Sequence, residues 1–177
     1  MREIIKDKAI VSDDWSVLRL AEGETPDAVE VPAGKVIIPL QVWLLQREEL
    51  SQRLRLSHDL AIWFGPAEQA KELSGDIALF PLLAVDFPKF SDGRGYSTAY
   101  NLRARLGYTG ELRAIGDVLR DQLFYMQRVG FNAFATREDR NIQDAIKGLT
   151  DFSEKYQPSW DEKNPLFRRE ERSGLAI

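Results

Sequence analysis

The chain has 177 residues, 44% hydrophobic and 29% charged, enough to close one globular core and too apolar for global disorder. Its 24 basic residues are outweighed by 28 acidic ones, which argues against general nucleic-acid binding, since that needs a net basic face. With no cysteine and a single histidine, His58, it offers no thiolates for an iron–sulfur cluster or zinc, no cysteine nucleophile and no His-rich metal site.

Met1–Trp15 is too polar for a signal peptide and no apolar run is long enough to span a bilayer, so a cytoplasmic location and no membrane partner are expected. Residues 1–35 read as a β-rich N-terminal extension. Ile4-Ile5 and Ala9–Val11 flank a hairpin turn at Asp7-Lys8, and Glu22–Gly34 is a connection rich in Pro, Gly and acids. Val36–Ile38 is a short apolar run, after which Pro39 can open a helix bearing Leu40, Trp43, Leu44, Leu50 and Leu54 at helical spacing.

From there strands and helices alternate. Leu60–Phe64, Leu82–Val85, Leu112–Ile115 and Phe131–Ala135 are apolar enough for buried strands. Between them lie predicted helices Ala67–Leu73, Thr98–Leu106 (stopped by Gly107) and Val118–Val129 (capped by Asp117, stopped by Gly130). Thr136 and Asp139 resemble a capping box before a last helix with Ile142, Ile146, Leu149 and Phe152 on one face. This alternation predicts one α/β domain over 36–157 with about five mostly parallel strands, as an open sheet or a half-barrel. The charged segment 158–177 is expected to be a weakly packed tail or contact arm.

The segment DFPKFSDGRGYS (86–97) leaves a strand and enters a helix, which places it at the C-terminal sheet edge where α/β folds bind ligands. Gly93 and Gly95 are expected to expose backbone N–H groups through positive φ. Lys89 and Arg94 add charge, while Tyr96 and Ser97 stand at the helix start with Asp92 beside them. Arg113, inside an apolar strand, needs a cleft or a carboxylate, and Asp117 follows that strand. Two readings fit this set. One is a site for a small oxyanion such as phosphate, sulfate or sulfite; the other is a tight turn held by ion pairs. Gly93-Arg94-Gly95 is only a fragment of the dinucleotide fingerprint, with Thr98 in place of its third glycine. His58 reads as a solvated loop residue, and Trp43 and Trp63 as core.

The stretches DFPKFSDGRGYS (86–97), LRARLGYTGELRAIGDVLRDQL (102–123) and GFNAF (130–134) resemble domain-of-unknown-function family 934, a bacterial family. The resemblance covers roughly residues 36–137. It departs at Asn132, where the pattern has Asp, and at Val129, where it has Cys. Family members are described as oxidoreductases that accompany assimilatory sulfite reductase. The resemblance therefore implies an accessory role in sulfate assimilation, as an oxidoreductase component or partner of that reductase. Sulfite reduction normally runs through haem and iron–sulfur centres, and a cysteine-free chain holds no such cluster of its own. The alternative is an α/β protein that binds a small oxyanion or phosphorylated metabolite without redox activity. The residues specify no cofactor.

Overall fold

The computed structural model describes residues 2–73 and 75–169. The chain opens on an antiparallel hairpin, Arg2–Lys6 (β1) and Ala9–Asp13 (β2). Its turn is Asp7-Lys8, with φ of 49° and 66°, the left-handed pair that a two-residue hairpin between right-twisted strands requires. Asp14 and Trp15 lead into Ser16–Val17 (β3). Val36–Pro39 (β4), Leu60–Phe64 (β5), Leu82–Phe87 (β6), Glu111–Gly116 (β7) and Ala133–Phe134 (β8) follow.

All eight form one sheet in the order β2-β1-β8-β7-β6-β5-β4-β3. β3 to β8 pair in parallel, whereas β1 runs antiparallel to both β2 and β8. The sheet is thus eight-stranded and partly antiparallel, where the sequence suggested about five mostly parallel strands. The N-terminal residues are not peripheral to it. They supply three of its strands, because Ile4, Ile5, Val11 and Val17 need the same apolar surroundings as the later runs.

β2 and β3 are the two edges of the sheet, yet only Asp14 and Trp15 separate them in the chain. Three Cα–Cα steps reach at most ~11 Å, so the edges approach one another there and the sheet curls into a half-barrel. One face carries Val36, Ile38, Ile62, Phe64, Leu83, Val85, Leu112 and Phe134, packed with Trp43, Leu54, Leu102, Leu123 and Met126 from the helices. The other carries Ile4, Ile37, Ala61, Leu82, Ala84, Ile115 and Ala135, joined by Val11, Trp15, Val17 and Trp63. Three alanines on this inner face let the strands bend toward each other.

The helices are shorter than their sequence spans suggest. Leu40–Leu45 (α1) and Arg47–Ser57 (α2) are separated at Gln46, whose side chain donates to Pro26 O and Val29 O and so pins the 22–34 connection. Arg94–Tyr100 (α3) continues as a π-helical turn, Asn101–Arg105. Leu123–Val129 (α4) ends at Gly130, whose φ of 119° no residue with a side chain adopts easily. Ile142–Ala145 (α5) is capped by Asn141 Oδ1, which accepts from Gln143 N (2.8 Å) and Asp144 N (3.2 Å). The Thr136–Asp139 box is not used, because Thr136 is buried just past β8. Residues 155–169 dock on the helical side. Asp161 pairs with Arg128 and Lys155, and Trp160 lies 5.3 Å from the Arg103 guanidinium. Of the segment expected to be a loose tail, residues 170–177 lie outside the described residues.

One end of the inner face is closed by charge. The Arg113 guanidinium, 3% exposed, reaches Asp13 at 2.9 Å and Glu111 at 2.7 Å, and Lys6 meets Glu111 at 2.7 Å. Arg113 and Asp13 stand on strands three places apart, so this contact bridges the concavity. Breaking a buried pair strands the remaining charges and typically costs about 3–5 kcal/mol. Arg113→Ala is therefore expected to lower stability by roughly that amount in a urea titration, through the midpoint and with little change in slope. A loss under about 1 kcal/mol would show that the sheet curls without it.

Candidate functional site

The C-terminal edge of the parallel strands carries three sets of paired charges. Asp86, at the end of β6, accepts two bonds from Arg19, 2.7 Å and 3.2 Å, and Arg19 lies 5.2 Å from the Trp63 ring centre. Trp63 in turn donates its indole N–H to Leu18 O at 2.9 Å, which fixes the start of the connection that brings Arg19 over the edge.

The loop after β6 is held by its own acids. Arg94 grips Asp92 through Nε (2.9 Å) and a terminal nitrogen (2.6 Å), and this pairing holds the Asp92 carboxyl down at about 2. Asp117 accepts Phe90 N (2.8 Å) and the Arg137 guanidinium (3.1 Å), and Arg137 also pairs with Asp139. Asp117 thus ties two edge loops together and does not cap the following helix. Three backbone donors of the loop are occupied too: Asp92 N on Lys89 O, Arg94 N on Asp92 Oδ1 and Tyr96 N on Gly93 O. Gly93 has φ −85° and Gly95 lies within α3, so neither provides the positive φ expected of it. Gly95 is small for another reason. A Cβ there would meet Phe87 and Val85 at 2.8–2.9 Å, so glycine lets the helix lie directly on β6. Lys89 is exposed and, among the described residues, makes no ion pair.

Arg113 does not join this set. It faces the inner side of the sheet and is held by Asp13 and Glu111, away from the Lys89–Ser97 loop. The loop and the strand arginine, grouped as one set from the sequence, are therefore not brought together. Sequence reasoning could see that Arg113 needed a carboxylate, but not that it would come from β2.

Tyr96 and Ser97 point to a different place. With Tyr100, Asn101, Arg105 and Tyr125 they line a groove of about 630 Å³ between α3, its π-helical turn and α4, and Pro158, Ser159 and Lys163 complete the wall. No carboxylate among the described residues lines it. Most arginines here sit on an acid, as Arg19, Arg47, Arg53, Arg94, Arg113 and Arg128 do. Arg105 and Lys163 make no ion pair or hydrogen bond among the described residues. Burial first, then nearby Tyr125 and Asp121, raises the Tyr96 phenol above its ordinary value, so it remains a proton donor. Sequence reasoning missed Arg105, Tyr100, Tyr125 and Lys163. Their only signal was cationic and aromatic side chains at helical spacing from Ser97, which reads equally as a solvated face.

The two departures from the family pattern are also placed. Val129 lies on the groove lining, so a cysteine there would face it. Asn132 Oδ1 accepts Leu112 N (2.8 Å) and Arg103 (3.1 Å), while its Nδ2 donates to Asp7 at 3.0 Å. Arg103 is buried on carbonyls of Gly130, Tyr108 and Gly110, and burial lowers its guanidinium from the ordinary value.

Fold and groove together define a curled α/β protein with a cationic, phenol-lined surface cleft. Residues 61–167 match the family model described as bacterial protein of unknown function, DUF934, and the chain belongs to that family. Neither a curated protein nor a solved structure matches it. No helix among the described residues is long and apolar enough to cross a membrane.

Two outcomes follow from this geometry. In an NMR titration the Asp92 carboxylate is expected to stay charged down to about pH 2, and Arg94→Ala to return its midpoint toward the usual carboxylate range. An unchanged midpoint in the variant would mean that Arg94 is free in solution. For Asn132→Asp, Arg103 gains a counter-charge but Asp7 loses its donor and faces a like charge. Adding Asp7→Asn is expected to recover about 0.5–3 kcal/mol by double-mutant cycle, and simple additivity would show the two positions to be uncoupled.

Proposed function

We propose that this chain is an accessory component of assimilatory sulfite reduction whose part is to bind an anion in the groove beside α3. Family membership and the association that its sequence pattern implies support the pathway; the groove supports the binding role. The observation that carries it is the lining itself, which among the described residues holds two cations without carboxylate partners, three phenols and no acid. An oxyanion accepts charge-assisted bonds from Arg105 and Lys163, with the Tyr96 phenol and the Ser97 hydroxyl as neutral donors beside them. The C-terminal sheet edge fits less well, because its arginines already hold Asp86, Asp92 and Asp117. The reading needs no redox group within the chain, so it also accommodates an anion-binding protein without redox activity.

Charge-assisted bonds contribute about 1.5–3 kcal/mol each, so removing one cation should weaken binding roughly tenfold or more. Calorimetric titration of sulfite, sulfate and phosphate is expected to give binding below millimolar for at least one of them, weakened by Arg105→Ala and unaffected by Arg94→Ala. Loss of binding in Arg94→Ala alone would move the site to the sheet-edge loop. Co-purification of assimilatory sulfite reductase with the tagged chain is expected, and its absence would remove the pathway assignment.

A further inference from the structure

We infer that the ligand of this groove carries a planar ring as well as its anionic group, as a nucleoside phosphate does. The inference rests on the anion-binding reading above and deepens it. A bare oxyanion needs cations and hydrogen-bond donors; it has no use for open aromatic faces or for a cleft of about 630 Å³, which falls in the range of sites for organic ligands.

The aromatic side is built in layers. Phe87, fully buried at the end of β6, holds the Tyr96 ring at 5.3 Å, and Tyr96 holds the Tyr125 ring edge-on at 5.0 Å. Tyr125 is nevertheless 54% exposed, so the stack begins in the core and ends on an open ring, and Tyr100, 38% exposed, adds a separate ring to the groove. A phenol packed on one side and open on the other is a platform for a flat ligand ring, as in base stacking on aromatic side chains.

The charged side is separately supported. Arg105 ends the π-helical turn Asn101–Arg105, and such turns occur frequently at functional sites. Lys163 stands on the C-terminal segment, which Asp161 anchors to Arg128 and Lys155. The platform and the two cations thus come from different elements that meet at one cleft. A ligand with a ring at one end and a phosphate at the other would bridge them.

Calorimetry with adenosine monophosphate, adenosine and inorganic phosphate separates the contributions. The monophosphate is expected to bind at least tenfold more tightly than either fragment. Tyr125→Leu should bring its affinity close to that of phosphate while leaving phosphate binding unchanged, and Arg105→Ala should weaken both. Thermal unfolding of Tyr125→Leu should match wild type, because that ring is half exposed. If phosphate binds as tightly as the monophosphate, the ring platform is wrong and the anion reading stands. If adenosine alone binds as tightly, the joint site is wrong. If none of the three binds, and sulfite and sulfate also fail, both readings fall.

Discussion

Two residues, Asp14 and Trp15, join opposite edges of an eight-stranded sheet, and most of the architecture follows from that short link. A sheet whose edges are tethered this closely has to curl. Curling crowds its concave side, and that side is accordingly lined by Ala61, Ala84 and Ala135 among the larger Ile4, Ile37 and Ile115. Charges that would be exposed on a flat sheet then face partners across the hollow. Arg113 reaches Asp13 on a strand three places away, and Arg19, from the connection after β3, reaches Asp86 on β6.

The same constraint bears on where function can lie. Open α/β sheets bind ligands at the C-terminal strand edge, in the crevice between crossovers. Here that edge is neutralised from within. Arg19 covers Asp86, Arg94 holds Asp92, and Arg137 links Asp117 to Asp139. Recruiting an anion to any of these arginines would mean pulling it from its acid, at a cost set by that pair, which leaves Lys89 as the one unpaired cation among the described residues of that edge. On the helical side no such exchange is needed, because no acid among the described residues lines the groove that Arg105 and Lys163 share. Ligand binding therefore competes with less at the groove than at the edge, although the edge is the customary place.

What the sequence made legible divides along the same line. Leu60–Phe64 is a strand with the boundaries read from its apolar run, and Leu82, Leu112 and Ala133 lie in strands where expected. Asp7-Lys8 turns a hairpin, and Gly130 ends its helix. All of these are local signals: apolar runs, turn residues, a glycine at positive φ. The eight-stranded sheet was hidden because it depends on pairing β1 with β8 from the other end of the chain, and on a β3 of only two residues. The helical crossovers were overread for the converse reason. Segments such as Ala70–Leu73 and Arg120–Gln122 have helical periodicity but only enough length for a 3₁₀ turn. At the candidate site, Tyr96 and Ser97 were legible from the loop that precedes them. Arg105, Tyr125 and Lys163 were not, since only folding brings α3, α4 and the C-terminal segment to one cleft.

The position of Asn132 shows how a departure from a family pattern can be structural without being silent. An aspartate there would accept from Leu112 N and Arg103 as Asn132 does, and would also neutralise a buried guanidinium. It could not donate to Asp7, which Asn132 does at 3.0 Å. The amide is therefore the form that lets position 132 serve a donor and an acceptor at once, and it is matched to an acid at position 7 of the hairpin turn. Through that turn Asn132 connects β8 to the strand pair that closes the curl, while Arg103, on the π-helical turn that also carries Arg105, links it to the groove wall. The residues that shape the sheet and those that line the cleft thus share one polar connection, running from Asp7 through Asn132 and Arg103 to the helix that presents Tyr96 and Ser97.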